Sequence, residues 1–243
     1  MGAVVSRFVE ESIFGISSSG TVRLTEIGRA LEETIPLHAT HKRLSRNLAD
    51  ESLESNISDS ILKLGTGRIN KDTLLIVDPS DIQKKYARKM EYLAPVRDGS
   101  EKSIGNGYWV CEVVGCEVGS NEITPLAQTL WSQDAPDYKS ENDQLLSLMK
   151  QVRQSTGGHG IIVYDRGGDR RRLLEPWTKD PACRYRVRQR GDRHLLYHRK
   201  VRSCLALADL CKTPYAVRII KEKDGLVFYR LDYPNALNAP YGW

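Results

Sequence analysis

Thr73-Leu-Leu-Ile-Val-Asp78-Pro79 is an apolar, partly β-branched run closed by an acid and a proline. A short run of this kind between polar residues reads as a buried strand, here ending at Asp78. Gly160-Ile-Ile-Val-Tyr164 repeats the pattern and is followed at once by Asp165. Between the two, Tyr108 to Val118 is rich in Val, Trp and Cys and reads as a second strand. A turn at Gly119-Ser-Asn121 leads to a third near Ile123. Ser140 to Gln154 places Leu145, Leu146, Leu148, Met149 and Val152 at helical spacing, and Gly157-Gly158 stops that helix. Three strands, a helix, a strand and a helix predict an α/β protein with a mixed sheet and flanking helices.

The flanks differ from this centre. Residues 1–70 are helical in pattern: Thr25 is a candidate cap, His38 to Leu48 is basic and amphipathic, and Leu53, Ile57, Ile61, Leu62 and Leu64 recur at helical spacing. This N-terminal segment is a candidate for DNA contact. The centre spans 71–182. Lys84 to Met90 is a basic segment, and Pro95 to Asn106 reads as a loop. After Asp165, Asp169 is a candidate cap for a helix that Pro176 limits. Residues 183–243 read as a β-rich insertion, with strands over Cys183–Arg190, His194–Val201, Tyr215–Ile220 and Leu226–Leu231.

Composition narrows the function class. Charged residues make up 28% of the 243 and hydrophobic residues 40%, as in an ordinary globular protein. Five cysteines with no C-x-x-C pair disfavour a disulfide framework and a zinc site. No apolar stretch approaches the ~20 residues of a membrane helix. Glu10 and Glu11 interrupt what would be the apolar part of a secretory leader, and a cytoplasmic protein is expected.

Net charge is +5, but its distribution says more. Asp165 to Arg202 holds thirteen Lys or Arg against five Asp or Glu, a local excess of +8 that leaves the remainder about −3. Arg184, Arg186, Arg188 and Arg190 alternate with Tyr185, Val187 and Gln189, so a strand would carry all four guanidinium groups on one face. Arg170, Arg171 and Arg172 extend the basic zone beside Asp165. The planar guanidinium fork suits phosphate, and DNA backbone is the natural partner. A fully solvated basic face is the plain alternative.

The strand-end aspartates also have two readings. Ligand sites in α/β sheets form where central strands end. Two converging carboxylates repel, and a divalent cation with a preference for oxygen relieves that repulsion. The alternative is capping: Asp78-Pro79 makes a good helix start, and Asp165 could belong to the turn before Asp169.

Four segments, taken in order, resemble a known family. Leu75-Ile-Val-Asp78-Pro-Ser-Asp-Ile82 is similar to the first-aspartate strand of the DDE transposases of bacterial insertion sequences. Val163-Tyr-Asp165-Arg-Gly-Gly-Asp169 resembles their second motif, and Arg184-Tyr-Arg-Val-Arg188 their arginine-bearing strand. Leu24 to Leu31 and His41 to Leu48 resemble the helices before their core. The resemblance implies a ribonuclease H-like mixed sheet, with Asp78 and Asp165 as the first two catalytic metal ligands. It implies two Mg²⁺ (or Mn²⁺) ions that activate water to cut the element end, after which the freed 3′-hydroxyl attacks target DNA. The implied partner is double-stranded DNA, bound by a homodimer on paired ends in the bacterial cytoplasm, at the nucleoid.

One departure stands out. The group with a Tyr-Arg-Glu-Lys third motif places a third acid on a late helix, and no such pattern occurs here; Glu175 is too close to Asp165, and Glu222 lies in a strand–turn context. The sequence is therefore expected to be a C-terminally truncated transposase. Two further expectations compete with an active one: a degenerate transposase that binds DNA without cutting, and an unrelated phosphotransfer enzyme. The second lacks both a P-loop and a dinucleotide fingerprint.

Overall fold

The computed structural model describes residues 2–97, 99 and 103–210, with the backbone alone of 216–219 and 229–232. The chain divides into two compact units, Met1–Gly160 and Ile161–Trp243. It is a mixed α/β protein, with antiparallel strands in the first unit and a parallel pair in the second.

The first unit opens with four helices: α1 (Ala3–Ser19), α2 (Leu24–Ala30), α3 (Leu37–Leu48) and α4 (Leu53–Thr66). Each contributes one buried residue to a shared cluster of Phe8, Ile27, Leu44 and Leu53. Burying side chains of this size stabilises by about 1.5–3 kcal/mol each. α1 ends at Gly20, whose φ of 67° is left-handed and whose N–H donates to Ile16 O at 2.8 Å. Thr25 is not a cap, because α2 already begins at Leu24.

Four strands follow: β1 (Leu74–Gln83), β2 (Ala94–Arg97), β3 (Ile104–Cys116) and β4 (Ile123–Trp131). All pairings are antiparallel; β3 meets β1 along one edge, and β2 then β4 along the other. Leu75, Val77, Cys111 and Val113 alternate inward, and Val77 lies opposite Val113. α5 (Glu141–Ser155) turns Leu145, Leu148, Met149 and Val152 into the core, and both α4 and α5 pack on β4. Ser140 caps α5 by accepting the Asp143 N–H at 3.2 Å. α4 can approach closely because of Gly65, where a Cβ would lie 2.6 Å from Pro125 O. Gly157 and Gly158, both at positive φ, end this helical segment as the sequence suggests.

Two sequence expectations change here. β1 does not end at Asp78 but pairs with β3 for five more residues, to Gln83 opposite Gly107. Proline removes one donor, but its φ is compatible with extended backbone, so the ladder to β3 continues past it. The expected loop over Pro95–Asn106 contains β2 and the start of β3.

The second unit begins with β5 (Ile161–Tyr164), a 3₁₀ turn over Arg166–Gly168 and α6 (Arg171–Lys179), and returns in β6 (Arg184–Val187), parallel to β5. Leu173, Leu174 and Trp177 form the buried face of α6, and the Trp177 and Tyr185 rings lie 5.9 Å apart. Pro176 lies inside α6 and does not end it. The expected strand over His194–Val201 is a hairpin of β7 (His194–Tyr197) and β8 (Lys200–Ser203), turning through His198 and Arg199 at positive φ. α7 (Cys204–Leu210) follows. β9 (Ala216–Ile219) and β10 (Tyr229–Asp232) pair antiparallel.

Candidate functional site

Asp78 lies in the middle of β1, exposed, on the face opposite Leu75 and Val77. It caps no helix, since residues 79–83 are strand. Its partner in the register is Glu112 of β3, which in turn lies opposite Gln128 of β4; all three are exposed. Two carboxylates therefore face each other across one pair of strands. On the buried face, the Cys111 thiol is pushed up to about 12, first by burial and then by the negative charge of Asp78.

Asp165 belongs to the second unit and directly follows β5. Its carboxylate is exposed, and Oδ1 accepts the Gly167 N–H at 2.7 Å, closing the 3₁₀ turn. The capping role left open by the sequence is thus real for Asp165 and absent for Asp78. Gly168 is obligatory in this turn: a Cβ there would lie 1.8 Å from Cδ1 of Tyr164.

Asp169 does not cap α6, whose N-cap is Arg170. Its side chain is fully buried. Oδ2 accepts the Arg190 N–H at 2.7 Å, Oδ1 forms an ion pair with the Arg193 guanidinium, and Arg193 also donates to Asp169 O at 3.1 Å. A buried carboxylate needs partners of this kind, because desolvation of an unpaired charge is costly.

The basic residues belong to this same unit. Arg171 and Arg172 are exposed at the start of α6, and Arg170 is half-buried before it. Arg171 lies 3.9 Å from Glu175, a weak i,i+4 pair. Arg184 and Arg186 are the exposed positions of β6. The strand stops at Val187, three residues short of the expected Arg190, yet Arg188 and Arg190 are exposed as well. One unit therefore combines an acid at a strand end with all of the arginines singled out in the sequence: Arg170, Arg171, Arg172, Arg184, Arg186, Arg188 and Arg190.

Sequence reasoning did not anticipate Glu112 opposite Asp78, or the roles of Asp169 and Arg193. Glu112 had no signal, because register is not written locally. The second acid of Asp165-Arg-Gly-Gly-Asp169 stands out in the sequence, but nothing in the motif distinguishes a cap from a buried anchor.

A cluster on the helical side limits the cations available there. Arg43 of α3 is engaged by Glu33 at 2.8 Å and by Glu11, and the Thr40 hydroxyl donates to Glu33 at 2.7 Å. His38, Lys42 and Arg46 are the exposed basic residues of that helix.

Among the described residues no group of three or more His, Cys, Asp or Glu could hold a metal ion, and no helix is long and apolar enough to cross a membrane. The fold and these sites define a two-unit α/β protein with an arginine-rich second unit. Neither protein-family models nor curated proteins provide a match to the chain.

Proposed function

We propose that the chain is a DNA transposase of the DDE type with a ribonuclease H-like core, acting on double-stranded DNA. The observation that carries this reading is the arrangement of the second unit. Asp165 follows β5, the next helix begins with arginines, and the parallel neighbour of β5 presents Arg184 and Arg186 outward. Aligned guanidinium groups would hold a phosphate backbone near an acidic strand end in a salt-dependent, largely sequence-independent way. Asp78 and Asp165 are the proposed metal ligands. Both are exposed carboxylates and suit Mg²⁺ or Mn²⁺, which prefer oxygen donors. When bound, such an ion supplies water activation and charge stabilisation at a phosphodiester. Pairing of DNA ends by two copies of the chain is part of the same proposal, as is a bacterial cytoplasmic setting.

The full chain should nick a supercoiled plasmid in Mg²⁺ or Mn²⁺, and Asp78→Ala and Asp165→Ala should each abolish nicking. Cleavage insensitive to both changes rejects the reading.

The hydrogen bond from Gly167 to Asp165 favours a second reading, in which Asp165 is a structural cap and the basic unit binds duplex DNA without cutting it. Salt-dependent duplex binding with no nicking in either metal is the result that selects it.

A further inference from the structure

The arginine alternation continues past the end of its strand, and the reason lies in one side chain. In a parallel pair, every second N–H of one strand finds a carbonyl on its neighbour. β6 follows this rule as far as Arg188, whose N–H reaches Tyr164 O, the last residue of β5, at 3.2 Å. The next inward N–H belongs to Arg190. Its acceptor would be a carbonyl two residues beyond Tyr164, but there the chain has already turned into the 3₁₀ segment Arg166–Gly168. Asp169 Oδ2 provides the missing acceptor at 2.7 Å. The same carboxylate pairs with Arg193, whose carbonyl in turn accepts the Cys204 N–H at 2.8 Å, tying the far end of the loop to the start of α7.

The geometry points to Asp169 as a positioning residue that holds the chain in line just past the end of the β5–β6 ladder and thereby presents Arg190, beside the ladder-held Arg188, to an anionic backbone. This rests on the reading of the partner as duplex DNA. Asp169 itself is fully buried, so it would act through the Arg190 backbone and not by contact with DNA. Arg193, only 18% exposed, serves the same anchor and is withdrawn from the basic face.

The test uses the full chain and two measurements. Amide hydrogen exchange reads the anchor directly: the Arg190 N–H should be protected, and Asp169→Ala should expose it. Binding of a duplex oligonucleotide at several salt concentrations reads its consequence. Each lost phosphate contact lowers the slope of log K against log salt by about 0.9. Asp169→Ala should therefore reduce the slope by about one contact; adding Arg190→Ala should reduce it little further, whereas adding Arg188→Ala, whose N–H the Tyr164 carbonyl still holds, should remove a further contact. The paired change Asp169→Asn with Arg193→Met removes both buried charges, keeps an amide oxygen for Arg190 and should restore most of the slope. It guards against a variant that fails to fold.

Rapid exchange of Arg190 in the unaltered chain overturns the anchor. Lost protection with an unchanged slope overturns the positioning role and leaves Asp169 merely structural. Absence of duplex binding by the unaltered chain at low salt also overturns the proposal, and protection of Arg190 in that case shows that the DNA reading failed and the anchor did not.

Discussion

Asp78 of β1 stands directly across the antiparallel register from Glu112 of β3, both exposed on the same face of the sheet. Like charges in opposed cross-strand positions are destabilising, by roughly 0.2–1 kcal/mol relative to a neutral pair. Glu112→Gln should therefore raise stability at low ionic strength. The gain should shrink at about 1 M salt, where the Debye length falls to about 3 Å. Urea denaturation at the two ionic strengths checks this, and a salt-independent difference would show that the two carboxylates do not interact.

The helical cluster should lose stability in acid. Glu33 is held below the usual carboxylate range first by the Thr40 hydroxyl and then by Arg43. Its folded value therefore lies below its unfolded one. The resulting stabilisation is complete above the unfolded value and drains away as pH falls through the folded one. Against Glu33→Gln, the wild-type chain should be more stable at neutral pH, and the gap should close as the solution is acidified. A gap that stays constant with pH would contradict it. Arg43→Met should cost about 1 kcal/mol at neutral pH, because it leaves Glu11 and Glu33 with only the more exposed Arg7 as a shared cation.

Gly168→Ala should be poorly tolerated. The added methyl would lie 1.8 Å from Cδ1, 2.6 Å from Cγ and 2.8 Å from Cβ of Tyr164, so the ring cannot evade it by turning its far end. Overpacking of this kind costs about 1–3 kcal/mol. The adjacent change Gly167→Ala meets mainly Asp165 Oδ1, at 2.9 Å, and should cost less. Thermal melts of the two variants compare them; equal losses would refute this packing of the turn.

Cys111 should resist alkylation in the folded chain. Its thiol is buried in the sheet and pushed up to about 12, so almost no thiolate exists at about pH 8. Iodoacetamide labelling followed by mass spectrometry should modify Cys116 before Cys111, with Cys111 reacting only in denaturant. Early modification of Cys111 would show that the inner face of β3 is open.

Much of the fold was legible because it depends on local pattern. The α5 helix followed from apolar spacing between Ser140 and Gly157, and its cap and stop are where those residue types place them. α7 also has a local signal: Ser203 precedes a Leu- and Ala-rich run, and its hydroxyl accepts the Ala206 N–H at 3.2 Å. β2 was not legible. Ala94-Pro-Val-Arg97 is too short to show a period, and only pairing with β3 makes it a strand.

The candidate site divides along the same line. Residue identity fixed which side chains could bear the chemistry, because only a carboxylate can offer paired oxygens and only arginine a planar fork. What each carboxylate faces was decided by the folded chain: Asp78 looks across to Glu112, Asp165 turns back on Gly167, and Asp169 is buried against Arg190 and Arg193. Period and propensity act between neighbours a few residues apart. Register and burial depend on segments tens of residues distant, and no local pattern specifies which of them will meet.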